Sequence, residues 1–266
     1  MRAMDNNMFA PLGPDETPRN PPVPDDDWQP MPAPHGASLD FRHHALGTPS
    51  RTWQYTNAAG ELEGYVCRFE TKTPDGPDKE FRPRRYGTLT KDGKARTGWH
   101  WKGWGDNRPL YGIGDLLARP DAPVLVVEGE KKVDAARRLF PDYVPVAPMN
   151  GARSPHKTHW TPLAGRVVVI WPDNDPPGSV FATAAVKLNP EAASVAIVTI
   201  PENFPEGWDL ADTPPDGVDH EDLVGMLDAA RRSKSNANPP RSPTMIPRSP
   251  MATTGRRNTC RSAPIR

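Results

Sequence analysis

Two short acidic motifs stand out for the chemistry they could do. Glu128-Gly129-Glu130 follows directly on the apolar run Val124-Leu125-Val126-Val127, and Asp173-Asn174-Asp175 follows Val167-Val168-Val169-Ile170-Trp171-Pro172. Apolar runs of this length mark strands buried on both faces. Each motif leads into a stretch with helical spacing, 131–140 and 179–188, so the alternation predicts a mostly parallel sheet flanked by helices. In such a sheet, ligands bind beyond the carboxyl ends of the strands, which is where both motifs fall. Carboxylates brought together repel one another, and a bound cation relieves the cost. Hard oxygen donors suit Mg²⁺, which keeps several waters and also takes substrate phosphates; Mn²⁺ would suit the same donors. Gly129 and Gly178 allow a sharp turn and leave room for a ligand.

Each acid also has a structural explanation when taken singly. Asp175 before Pro176 is a good helix N-cap, and Glu130 would favour the start of the helix after it. Two acidic strand ends in one sheet, each followed by glycine and a helix, shift the balance toward a metal site. A third acidic element, Trp208-Asp209-Leu210-Ala211-Asp212, follows the strand expected at 194–200.

The elements that must position these groups can be read outward from the motifs. Further elements expected in the same α/β unit are a short strand at 144–147 and a last helix at 220–232. Before it, Thr52-Trp53-Gln54-Tyr55, the turn Asn57-Ala58-Ala59-Gly60 and the run opening at Leu62 give a hairpin signal. Residues 51–118 share Trp53, Trp99, Trp101 and Trp104 with twelve basic residues. Such aromatics can stack on bases, although tryptophans more often fill a small core. A short connecting helix is expected at 108–118, and Pro120-Asp121-Ala122-Pro123 marks a boundary. Nine prolines in 1–38 and six in 233–266 argue for disordered ends. The expected organisation is therefore a disordered segment over 1–38, a small β-rich domain over 39–118, an α/β domain over 119–232 and a disordered basic tail over 233–266.

The chain has no net charge, but its charge is segregated. The net values are −4 for residues 1–50, +3 for 51–118, −8 for 119–228 and +9 for 229–266. An acidic unit beside basic ones fits a metal site flanked by a polyanion-binding surface, and fits equally a solvated tail. Two distant cysteines, Cys67 and Cys260, build neither a disulfide framework nor a zinc ribbon. No apolar run is long enough to span a bilayer and no export signal is seen, so a cytoplasmic protein without membrane attachment is expected.

The strand ending in Glu128-Gly129 resembles the first motif of Toprim domains. Val169-Ile170-Trp171-Pro172-Asp173-Asn174-Asp175 with Gly178 resembles their second, and Trp208–Asp212 is similar to the acidic segment that follows in primases of this class. The wider pattern, including Arg108–Tyr111, Glu128–Lys131, Lys157, Trp160 and Leu163–Arg166, resembles primase-like proteins of phages and mobile elements. The resemblance implies Mg²⁺-dependent nucleotidyl transfer on DNA, single strands included, with nucleoside triphosphates as substrates and a helicase as partner. It also leaves open a Toprim nuclease and a non-catalytic DNA-binding module. Glu128 would move the proton, Asp173 and Asp175 would hold the metal, Asp209 would support them, and Asp212 would be a further ligand. Lys131, Lys157, Arg82, Arg84 and Arg85 would meet phosphates, or the lysines would simply be solvated. The sequence departs from replicative primases in lacking cysteines for a zinc-binding domain. It also contains no Gly-x-x-x-x-Gly-Lys-Ser/Thr phosphate loop and no tyrosine in a recognisable topoisomerase context.

Overall fold

The computed structural model describes residues 27–74 and 76–235. The expected disorder over 1–26 and 236–266 lies outside the described residues. Within them the chain builds two sheets. Strands β1 (Asp27–Pro30), β2 (Arg51–Thr56), β3 (Leu62–Thr73), β4 (Gly76–Lys91) and β5 (Lys94–His100) form an antiparallel sheet. Strand β4 is its spine. The first half of β4 pairs with β3, from Thr73↔Gly76 to Gly64↔Arg85, and the second half lies between β1 and β5. The β2–β3 hairpin closes on the turn at Asn57–Gly60, where the Asn57 side chain accepts from the amides of Ala59 and Glu61.

Strand β1 departs from the sequence expectation, because residues 27–30 fall in the segment read as disordered. They pair with Gly87–Thr90 as an edge strand. An edge strand takes its hydrogen bonds from its neighbour and tolerates the proline at its end.

The second sheet consists of β6 (Val124–Val126), β7 (Val144–Val146), β8 (Val167–Ile170) and β9 (Ser194–Ile197), all parallel, in the order β7-β6-β8-β9. The apolar runs bury both faces, as their composition requires. Leu125, Val127, Val169 and Trp171 face one core with helices α2 (Glu130–Leu139) and α4 (His220–Ser235). Val124, Val126, Val168 and Ile170 face the other, with α1 (Ile113–Ala118) and α3 (Pro176–Leu188). Trp53, Tyr55 and Val66 of the antiparallel sheet join the first of these cores, so the two sheets share one packed interior. No helix among the described residues is long and apolar enough to cross a membrane.

Candidate functional site

The strand order places the site. From β6 the chain crosses through α2 to β7 on one side, then returns to β8 on the other. The reversal falls between β6 and β8, the topological switch point at which open α/β sheets leave a crevice. Glu128 leaves β6 and Asp173 leaves β8 at the carboxyl ends of these adjacent strands. They meet directly: the Asp173 amide donates to Glu128 Oε1 at 3.0 Å.

Two glycines make this approach possible. A Cβ on Gly178 would lie 2.3 Å from the Asp173 carbonyl oxygen and 2.9 Å from Glu128 Oε1. A Cβ on Gly151, which has φ +54°, would lie 2.4 Å from the Glu128 carbonyl oxygen. The glycine following the Asp pair is thus needed for close packing on the Glu128 carboxylate.

Asp175 caps α3, its carboxylate accepting from the Gly178 amide at 2.6 Å with Pro176 and Pro177 in the first turn. The structural explanation therefore holds for its hydrogen bonding, while its charge still reaches Glu128 and Asp173. Asn174, between the two aspartates, has a role the sequence reading missed. Its Nδ2 donates to the Phe204 and Pro205 carbonyls at 3.0 and 2.9 Å, and its backbone exchanges hydrogen bonds with Gly207 and Trp208. Trp208 is buried, packing against Phe204 and Trp171. These contacts dock the 201–212 loop onto the strand ends and bring Asp209 to the site. Asp212 stays at its rim, where its carboxylate accepts from the Asp209 amide at 3.1 Å.

Lysines neutralise part of this charge. Lys132, which the sequence reading passed over, forms an ion pair with Asp173 and lies 3.7 Å from Asp209. Lys131 reaches Asp212 at 3.4 Å and Asp209 at 4.0 Å. Burial alone would weaken the Lys132 ammonium, but Asp173, Asp209 and Glu128 together raise its pKa above the ordinary lysine value. Even so, the carboxylates are under strain of like charge. Burial first, then the neighbouring Asp173, pushes Glu128 up to about 7. Asp173 is also raised, by burial and by Asp209 and Asp175, against the opposing pull of Lys132. A carboxyl group poised near neutrality can both give and take a proton at physiological pH.

The donor chemistry of Glu128, Asp173 and Asp209 suits a hard divalent cation. The arrangement is closed around an ammonium, however. Among the described residues no three carboxylate, imidazole or thiolate groups are disposed to hold a metal ion. Beside the Asp pair, an open cleft of about 800 Å³ is lined by Asp173, Asn174, Asp175, Ser179, Thr199 and Glu202, among others.

The basic residues expected to meet phosphates are dispersed. Lys157 pairs with Asp106 at 3.2 Å. Along β4 the pleat sends alternate side chains to opposite faces. Arg85 turns inward and is only 8% exposed; its guanidinium lies 4.6 Å from the Trp104 ring centroid and donates to the Gly103 carbonyl. Such burial leaves Arg85 little surface with which to meet a phosphate, the role expected of it. Arg82 is exposed and paired with Glu80, and Arg84 lies half-buried over Trp101 at 4.5 Å. Of the four tryptophans, Trp53 belongs to the core and donates to Asp134 at 3.0 Å, while Trp104 donates to Glu63. These two serve packing, as tryptophans in small cores usually do.

No family model and no curated protein matches the chain. Solved structures do. The zinc-binding and RNA polymerase domains of the Aquifex aeolicus primase align with 76% of this chain at 17% identity and a TM-score of 0.43. A DNA primase domain from Pseudomonas aeruginosa aligns with 69% at 18% identity and 0.33. A chain of the bacteriophage T7 lagging-strand DNA polymerase assembly with primase domains, bound to an RNA/DNA hybrid and dTTP, aligns with 68% at 15% identity and 0.36. The present chain spans 74% of that T7 chain, but only 44% of the Aquifex chain and 55% of the Pseudomonas chain. The likeness is loose at these identities and scores, and what the site can do is decided by its own residues.

Proposed function

We propose that the chain carries a Toprim-type centre for Mg²⁺-dependent, primase-like nucleotidyl transfer on DNA, in the replication of a phage or mobile element. The observation that supports this most is the direct contact of Glu128 with Asp173 at the switch point of a parallel sheet, with Asp209 docked beside them. In this reading Asp173 and Asp209 hold Mg²⁺, with Asp175 adding charge from its capping position. The ion, when bound, supplies positive charge to the phosphoryl group under attack. Glu128 accepts the proton of the attacking hydroxyl, a role its burial prepares by keeping its basicity near neutral pH. Asn174 fixes the acidic loop, and the 800 Å³ cleft beside Asp173 is of a size to take a nucleotide. Single-stranded DNA, nucleoside triphosphates and a helicase acting alongside are the partners this reading entails.

The test is incubation of the full chain with end-labelled single-stranded DNA, the four ribonucleoside triphosphates and Mg²⁺. Template-dependent synthesis of short primers is expected, and it should disappear when Asp173→Asn is combined with Asp175→Asn. Shortening of the DNA would replace this reading with a nuclease. Absence of any polynucleotide binding at low salt, with or without Mg²⁺, would reject it.

A further inference from the structure

Lys132 stands where the charge balance of the acidic site is decided. It lies in the first turn of α2, and its ammonium is ion-paired to Asp173 and 3.7 Å from Asp209. Its side chain is 16% exposed, those of Asp173 and Asp209 17% and 16%, so the three form a partly buried unit. Lys131, one residue earlier, is 40% exposed, pairs with Asp212 at the rim at 3.4 Å and comes no nearer than 4.0 Å to Asp209. The two adjacent lysines therefore do different things. One is a surface cation, and the other fills the gap between the two carboxylates.

We propose that Lys132 is a tethered cation holding the place of the metal ion, so that a free divalent ion binds only by displacing it. This rests on the metal-site reading above. The geometry is the ground for it. The ammonium already engages Oδ2 of both Asp173 and Asp209, and a divalent ion brought onto the same carboxylates would place two positive centres within ion-pair distance, which repel strongly in a partly buried site. The placeholder keeps the apo site folded, because without it Asp173 and Asp209 would face each other uncompensated. It also sets an order of events. A free metal ion meets a site already partly neutralised and binds weakly. A metal–nucleoside triphosphate complex brings its own phosphate oxygens, which give the displaced ammonium a new partner. Metal and nucleotide therefore load together.

The test is calorimetric titration of the full chain with Mn²⁺ alone and with Mn²⁺ plus ATP, on wild type and Lys132→Met. Removing one charge from ion-pair distance of two ligands should tighten binding of Mn²⁺ alone by about tenfold or more. ATP should narrow the difference, since it tightens the wild type more than the variant. Equal or weaker Mn²⁺ binding by Lys132→Met overturns the placeholder while leaving the metal site standing. No Mn²⁺ binding by either protein overturns both. A second measurement needs no variant. Mass-spectrometric lysine acetylation of the wild type should show Lys132 labelling several-fold faster at saturating Mn²⁺, with Lys187 as an internal control. An unchanged or slower rate at Lys132 counts against displacement.

Discussion

Replacing Glu128 by glutamine separates what the carboxylate does for chemistry from what it costs the fold. Glu128 is 7% exposed, and its proton is held up to about pH 7 in the folded chain against about 4.5 for an ordinary glutamate. Between these values the folded protein binds more protons than the unfolded one. Stability therefore falls as pH rises through this window, and the loss persists above it. The full shift would correspond to at most about 3.4 kcal/mol. Lys132 and water in the adjoining cleft screen the charge, so about 1–2 kcal/mol is the realistic share. Glutamine keeps an oxygen to accept from the Asp173 amide and carries no charge. Chemical denaturation in EDTA at pH 5, 7 and 8.5 should thus show Glu128→Gln matching wild type at the low end and exceeding it by about 1–2 kcal/mol at the high end. Primer synthesis should vanish in the same variant. Parallel stability profiles, or a variant less stable at pH 8.5, would refute the claim that burial and Asp173 load this carboxylate.

Two further substitutions probe the surroundings of the site. Gly178→Ala trades a helix-propensity gain of about 1 kcal/mol against a Cβ 2.3 Å from the Asp173 carbonyl oxygen. Overpacking against backbone costs about 1–3 kcal/mol, so a net loss of stability is expected in thermal denaturation, with weaker metal binding because the Asp173 backbone is pushed aside. Tyr55→Phe removes the 2.7 Å hydrogen bond to the buried Glu130 carboxylate, and the loss of that side-chain partner should cost about 1–3 kcal/mol in urea denaturation. A loss below about 0.5 kcal/mol would mean that Glu130 is protonated or finds another partner.

The strands that carry the acids were legible because a strand buried on both faces needs an unbroken apolar run, and Val124–Val127 and Val167–Ile170 provide it. The capping role of Asp175 was legible for a local reason: cap chemistry spans only three residues. Strand β4 was mostly hidden. Its sixteen residues include Lys79, Glu80, Arg82, Arg84 and Arg85, and only the stretch near 81–85 reads as extended. Its hairpin with β5 closes on Asp92-Gly93, both at positive φ, a local turn signal that the reading of the sequence passed over, whereas its pairing with β1 joins segments far apart in sequence, which no local pattern encodes. The ion pair of Lys132 with Asp173 was hidden for the same reason. The partners are separated by 41 residues, and they meet only because β8 lies beside β6. In isolation Glu130-Lys131-Lys132 reads as the solvated first turn of a helix.

Helix α2 connects the two halves of the molecule to one set of charges. Glu130, Asp134 and Arg137 recur at helical spacing and face the antiparallel sheet and its connection to α1. Glu130 accepts from Tyr55, Asp134 accepts from Trp53 and Tyr111, and Arg137 pairs with Asp134 and Asp115. The intervening Lys131 and Lys132 are turned by the helical twist toward Asp212, Asp209 and Asp173. A ten-residue helix is too short to bend between two sets of contacts one residue apart, so its first turn moves as a piece. Polar anchors from Tyr55 and Trp53 therefore fix where the Lys132 ammonium stands, although neither residue touches the acidic site. This gives the small antiparallel sheet a physical role in the centre that its own basic residues do not supply. Arg85 is committed to Trp104 and Arg82 to Glu80, so what the sheet contributes to the site is position, transmitted through α2.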